Sequence, residues 1–446
     1  MSDILIRDGL VITMNDRREI IESGSVLIQG NKITAVGKTD EVISISHGDK
    51  VLDAKGKIVM PGLFCAHTHL YAEMLRGAPL QIDPPTDFIQ NLQRIWWPLD
   101  EALTVEAAYA STLAGCSELI RTGTTTFADT YSGPESIEGS LDAISKAVNE
   151  SGMRGIITFE VTERHSPEEG AKGLEENRQF IEKVNKINDS RVRGMYAVHA
   201  SFTVSNDLLK RTRALADKQH AIITIHTSEG LGDLYHNLNT YGKRTVERLR
   251  DTGILGEDVV LAHCVHVNND ELRLIKQTGA KVAHNPQSNM LNAVGISPVA
   301  KMLEMGITVG LGNDGFVFDG FEAIRAAFLL QKLLHRDPRK ITPLEALEMA
   351  TIGAATCYGM QGEVGSLEVG KKADIIVINP FKPTPLNAKT VLGYLVYACS
   401  GQDVESTIVN GQILMEQKEL TTFNLELVNN ISQDAAQDCW TRLGIL

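Results

Sequence analysis

Nowhere in these 446 residues do some 18 uncharged apolar residues run together, so the sequence offers no candidate for a membrane-spanning helix. Basic residues are in the minority. Lys and Arg number 43 against 56 Asp and Glu, and the formal charge of −13 argues against a nucleic-acid backbone or an anionic membrane as partner. The six cysteines (Cys65, Cys116, Cys264, Cys357, Cys399, Cys439) are scattered and form no Cys-x-x-Cys pair. They read as reduced packing residues, not as a disulfide framework or a set of zinc thiolates. The opening MSDILIRDGLVITMNDR is acidic and polar and lacks a secretory pattern, so a cytoplasmic enzyme acting on a small molecule is expected.

What is present divides the chain by texture. The first 58 residues alternate short apolar runs with Asp-Gly, Gly-Asn and Lys-Gly turns, as in ILIRDGLVITM and GSVLIQGNKITAVG. KKADIIVINP and VESTIVNGQILMEQ repeat that texture near the C-terminus. Neither piece is long enough for a large core, so both are expected to meet in one small β-sandwich, built from residues 1–58 and 365–446 with a C-terminal tail. Between them, over 59–364, eight strand-like runs (GLFCAHTH, TTTFADT, GIITFEVT, RGMYAVHAS, AIITIHTSE, DVVLAHCVH, KVAHNPQSN, ITVGLGNDG) alternate with segments of helical apolar spacing. Repeated strand-then-helix units imply a parallel sheet, and eight of them a (β/α)8 barrel. An open doubly wound sheet is disfavoured because the first strand turn carries no Gly-rich dinucleotide fingerprint.

In such a barrel, chemistry gathers at the C-terminal ends of the strands. The first run ends in His67 and His69, which alternation points to one side. A His-x-His pair alone is a weak signal, and any single histidine here is as readily a packing residue. The others lie at matching positions: His199 on the fourth run, His226 with Glu229 on the fifth, His263 on the sixth, His284 on the seventh and Asp314 on the eighth. Imidazoles with one carboxylate suit zinc, iron or a similar divalent ion, which lowers the pKa of bound water toward ~7. Glu229, three residues past His226, can border such a site without ligating, and His263 can hold the water.

The set PGLFCAHTH, HTSE, AHC, HNPQSN and GNDG, with the late VGSLEVGKKADIIVINP, resembles the amidohydrolase superfamily, in its one-metal aminohydrolase branch. The resemblance implies His67, His69, His226 and Asp314 as ligands of one divalent ion per chain, zinc first and iron or manganese as alternatives. It implies Glu229, His263 and Asp314 as the catalytic groups, and a homo-oligomeric assembly. The lysine that bridges two metals in other members is replaced by His199 in YAVHAS, which favours a single ion. THLYAEMLRGAP, WWPLDEALT, IRTGTTTFADTY and HASFTV are similar to deaminases of S-adenosylhomocysteine, methylthioadenosine and 5′-deoxyadenosine. By that likeness His199, Asp100, Glu229, Trp97 and His284 are the candidate substrate contacts, although Asp100 stands where the group usually has the longer glutamate. Deaminases of guanine, 8-oxoguanine or pterin rings rank lower, because Ala72 occupies the position of their ring-reading glutamine. FEVTERHSPEEGAKGLEENRQF is similar to an aminohydrolase group linked with selenium-dependent hydroxylases, and s-triazine hydrolases share the scaffold. A non-catalytic amidohydrolase-like scaffold is the alternative of another class, and it predicts missing strand-end ligands; none is missing.

Four expectations concern residues near these. Residues 77–100, rich in proline and polar side chains, read as a long loop of the kind that serves as a lid, with Trp96 and Trp97 packing at the barrel mouth. Asp129 is expected to bond neighbouring backbone. Arg154 and Arg164 are expected to be solvated charges, with a substrate carboxylate as the other reading. Asn285, Ser288 and Asn289 are expected to satisfy their own loop.

Overall fold

The computed structural model describes residues 3–46, 48–315 and 317–445. The alternating N-terminal segment forms β1 (Ile4–Ile12), β2 (Ile20–Gln29), β3 (Lys32–Lys38), β4 (Lys50–Asp53) and β5 (Ile58–Pro61). The chain then runs directly into β6 (Leu63–Thr68), followed by β7 (Thr124–Tyr131), β8 (Arg154–Val161), the short β9 (Val192–Gly194), β10 (Tyr196–Ala200), β11 (Ile223–Thr227), β12 (Val259–His263), β13 (Lys281–His284) and β14 (Val309–Leu311). It returns through β15 (Ile375–Ile378), β16 (Val404–Val409), β17 (Gln412–Glu416) and β18 (Glu419–Leu420).

Two sheets result. The strands of the two chain ends form one mixed nine-stranded sheet in the order β18-β17-β16-β15-β5-β1-β2-β3, with β4 also paired to β1. This sheet has an apolar cluster of its own, including Ile6, Val26, Ile28, Val59, Ile375 and Ile408. The eight long inner runs pair in parallel as β14-β13-β12-β11-β10-β8-β7-β6, with β9 beside β8. Every residue of β6, β7, β8 and β12 is buried, the pattern of a parallel sheet covered on both faces. The surrounding helices carry their own start and stop signals. Thr104 caps the helix Val105–Arg121, while Asn268 and Glu271 form a capping box at the start of Asn269–Thr278, which ends on Gly279 in the left-handed region.

The barrel closes where β14 meets β6. The His67 carbonyl accepts from the amides of Asn313 and Asp314, both at 3.1 Å, and the His69 amide donates to the Asp314 carbonyl. Gly312 makes this approach possible: a Cβ there would stand 2.7 Å from the His67 carbonyl oxygen and 2.3 Å from Asn285 Oδ1. The closing seam is therefore also the place where two of the strand-end histidines meet Asp314.

Two segments differ from expectation. The stretch read as a loop through residue 100 becomes helical from Phe88, in three consecutive pieces ending at Ala102 and including a π-turn at Leu92–Trp96. Asp87 starts it by accepting the Gln90 amide, and Pro98, the last proline of the stretch, sits in the first turn of the final piece, where a missing amide proton costs nothing. The C-terminal tail is an 18-residue helix, Leu425–Arg442, docked against the barrel helix Val105–Arg121, with Trp440 Nε1 donating to the Met74 carbonyl at 2.7 Å. Among the described residues no helix is long and apolar enough to cross a membrane.

Candidate metal centre and catalytic cavity

His67, His69, His226 and Asp314 lie within 4.8 Å of one another through one ligand atom each, and all four are buried. Asp314 Oδ1 is 3.1 Å from His67 Nε2 and 3.2 Å from His69 Nε2. His69 Nε2 and His226 Nε2 face each other at 3.2 Å. Their other ring nitrogens are already used: His69 Nδ1 donates to the Thr130 carbonyl at 2.9 Å and His226 Nδ1 to the His199 carbonyl at 2.8 Å. The Nε2 atoms are thus the free ligating nitrogens, fixed by backbone partners in the way metal-bound histidines usually are. Three imidazole nitrogens and a carboxylate converging in a buried space form a donor set that a cation would satisfy. The same field acts on protons. Burial pulls His69 down, yet Asp314 outweighs it and lifts the ring to about 10. Burial would likewise raise Asp314, but the His67 and His69 contacts hold its carboxyl well below the usual range. The donor set fits one divalent ion with borderline-hard preferences.

Backbone strain accompanies the centre. Ser228, His263, Cys264 and Asp314 all sit at positive φ (49°, 70°, 49° and 68°), a region L-residues occupy at a penalty of order 1 kcal/mol. The bend after His226 is held by Asp233, whose Oδ2 accepts the Ser228 amide at 2.7 Å. That bend delivers Glu229 to the cavity, where burial first and the charge of Asp314 second push its carboxyl well above the ordinary value. In this setting Glu229 is a candidate proton carrier. Its Oε2 is 3.5 Å from His263 Nε2, which lies 4.0 Å from Asp314 Oδ1.

His263 is oriented by residues expected to serve only their own loop. Its Nδ1 donates to Asn289 Oδ1 at 2.8 Å, and Asn285 Nδ2 lies 3.2 Å from its Nε2. Burial lowers its pKa to about 4, against the opposing pull of the Asp314 charge and the Asn289 hydrogen bond, and leaves the ring neutral. Asp129 does bond neighbouring backbone, accepting the Leu70 amide at 2.7 Å. The two arginines depart from expectation, because neither is a solvated charge. Arg154 is 2% exposed and pairs with Asp374 through two nitrogens, at 3.0 and 3.1 Å, linking the start of β8 to the other sheet. Arg164 pairs with Asp100 at 2.8 Å and stacks 5.0 Å from the Trp97 ring. Both sites combine a buried cation with a buried anion, which is why neither arginine reaches water.

One cavity gathers His69, Trp96, Trp97, Asp100, His199, His226, Glu229 and Asp314, with Tyr71, Phe88, Leu92 and Phe202 supplying apolar walls. His284 is fully buried and is not among the lining side chains; burial lowers its pKa to about 3. Glu160, at the end of β8, also lines the cavity and was not singled out from the sequence. Its signal was a lone carboxylate inside the apolar run GIITFEV, at the same strand-end level as the histidines.

Residues 58–414 match the amidohydrolase family model. The chain is 37% identical over 440 residues to a Methanobrevibacter smithii protein named 5′-deoxyadenosine deaminase, covering 98% of each. It is 34% identical over 430 residues to a Thermoanaerobacter pseudethanolicus protein named 5-methylthioadenosine/S-adenosylhomocysteine deaminase, covering 96% of each. Among solved structures, an adenosine deaminase from Xanthomonas campestris with bound zinc superposes with a TM-score of 0.90 at 24% identity, covering 98% of this chain and 99% of that one. At that identity the last likeness speaks to fold.

Proposed function

The chain belongs to the amidohydrolase family, and from that premise we propose that it is a metal-dependent hydrolytic deaminase of an adenine-bearing nucleoside with a modified 5′ position. The observation that carries the chemistry is the convergence of His69 Nε2, His226 Nε2 and Asp314 Oδ1 beside a carboxyl kept protonated by burial. The substrate class rests on the names of relatives that match this chain end to end.

In this reading His67, His69, His226 and Asp314 hold one divalent ion, zinc by the donor set, with iron and manganese as alternatives. When bound, the ion supplies the Lewis acidity that makes water nucleophilic near neutral pH. Glu229 delivers its proton to the ring nitrogen beside the amino-bearing carbon, so that attack there does not build charge on the ring. His263, neutral and fixed by Asn289 through Nδ1, presents Nε2 to the attacking water, which takes the place of the Asn285 Nδ2 contact at 3.2 Å. Asp314 Oδ1 accepts a proton from the nucleophile and passes it to the departing amine. The ring gains a carbonyl and ammonia leaves. His199, Trp97 and Asp100, the last tied to Arg164, border the space left for the nucleoside.

Ammonia release by metal-quantified protein tests this reading across 5′-deoxyadenosine, methylthioadenosine, S-adenosylhomocysteine, adenosine, guanine, 8-oxoguanine and a chlorotriazine. The expected result is kcat/KM above ~10⁴ M⁻¹s⁻¹ for a 5′-modified adenosine, within the range of physiological enzymes. Turnover confined to guanine, 8-oxoguanine or the triazine would overturn the substrate class. Silence on every compound by metal-loaded protein would overturn the activity.

A further inference from the structure

Glu160 is 3% exposed, lines the catalytic cavity, and has no hydrogen-bond partner for Oε2. A buried carboxylate oxygen without a donor is expensive, and in a native fold it calls for a reason. His226 Nδ1, 3.6 Å from Oε2, already gives its proton to the His199 carbonyl. On the other side, Glu160 Oε1 stands 3.8 Å from His199 Nε2. His199 Nδ1 shares a hydrogen bond with the Thr203 hydroxyl at 2.8 Å, and that hydroxyl also lies 3.1 Å from the Ala200 carbonyl. The two side chains thus face each other across a gap too wide for a direct bond, one imidazole's width from the candidate metal ligands.

We propose that Glu160 is an acceptor that selects substrates carrying a hydrogen-bond donor on the part of the molecule that does not react. Glu160 is then a specificity-determining residue, and the donor is a sugar hydroxyl or an amino group on the ring. The assignment rests on the adenine-nucleoside reading given above and refines it. Asp100 borders the same cavity, where Arg164 engages its Oδ2 at 2.8 Å and its Oδ1 is likewise without a partner, so the Glu160 variant is what separates the two carboxylates.

The experiment compares wild type with Glu160→Gln on four compounds: 5′-deoxyadenosine, its 2′-deoxy and 3′-deoxy analogues, and its 2-amino analogue. Metal per chain and Tm are measured alongside. Wild type is expected to lose roughly 10- to 100-fold in kcat/KM when the donor is removed, the worth of one hydrogen bond to a charged group. A fall on one deoxy analogue identifies a hydroxyl as the donor. A preference for the 2-amino analogue identifies the amine. In Glu160→Gln the same discrimination should vanish, with the loss carried by KM and with kcat and bound metal near wild type. Equal losses on all four compounds, or a fall in kcat accompanied by lost metal, would mean that Glu160 only supports His226, and the assignment would fail alone. If the Gln variant does not fold, Glu160→Asp keeps the charge, retracts the acceptor, and must show the same donor-selective loss. Silence of metal-loaded wild type on all four compounds would remove the adenine reading and this assignment together.

Discussion

At the scale of single residues, environment decides role. Asp314 and Glu229 are both buried carboxyls in one cavity, yet histidine contacts pull the pKa of the first down while burial and the charge of Asp314 push that of the second up. Pushing two acids apart in this way separates ligand from proton donor. Glu229→Gln is expected to keep the fold and the metal and to lower kcat by at least ~10²-fold, the usual scale for a general acid. Metal analysis, Tm and ammonia release check it, and wild-type turnover in this variant would remove Glu229 from the mechanism. Outside the cavity, Glu73 is lifted to about 8, by burial first, with Arg76 opposing and Glu118 adding to the rise. Its folded pKa exceeds the unfolded value, so the native state binds the extra proton between about 4.5 and 8 and loses stability as pH rises through that window. Glu73→Gln should flatten that slope, by up to ~1.4 kcal/mol for each pH unit inside the window. Denaturant titrations from pH 4 to 9 read it; parallel curves for the two proteins would place Glu73 at its ordinary pKa.

At the scale of elements, the site is made by strand ends and by the turns that follow them. β6 contributes His67 and the start of the turn that carries His69. The bend after β11 carries Glu229, and the β6–β14 seam brings Asp314 to both histidines. The alternation of β6 and the polar strand ends were legible in the sequence, because both are local patterns. The roles of Asn285 and Asn289 were not, since a side chain that turns to a ring on another strand leaves no trace in its own segment. The same holds for Arg154 and Arg164, whose partners Asp374 and Asp100 are 220 and 64 positions away. Gly312 is the element-scale test. A methyl group there collides with the His67 carbonyl, so Gly312→Ala should open the seam, with a loss of roughly 1–3 kcal/mol typical of overpacking and with reduced metal per chain. Full metal content and an unchanged Tm would show that the seam tolerates a side chain.

At the scale of the molecule, the sheet formed by the two chain ends is bolted to the barrel by the Arg154–Asp374 pair, with Asp374 also accepting the Asn410 amide at 2.8 Å. Removing the anion strands a buried guanidinium. Asp374→Ala is expected to destabilise the protein by about 3–5 kcal/mol while leaving kcat/KM per folded, metal-loaded chain unchanged, because the pair stands at the start of β8 and the site at its end. Equilibrium unfolding with parallel kinetics separates the two effects. A loss below ~1 kcal/mol would show that the surrounding polar groups satisfy Arg154 unaided.

The amino-acid sequence by itself determined the strand-then-helix repeat, the matching texture of the two ends and the list of strand-end ligands, because hydrophobic period and residue type are local properties. Only the tertiary structure decided which of those side chains converge. It set His284 outside the cavity lining, turned residues 88–102 into helix, docked the last helix on the barrel, and brought an unpartnered Glu160 against His199. These outcomes depend on distances between segments far apart in the chain, and on the burial those segments impose on one another. Neither quantity is written in any single stretch of sequence.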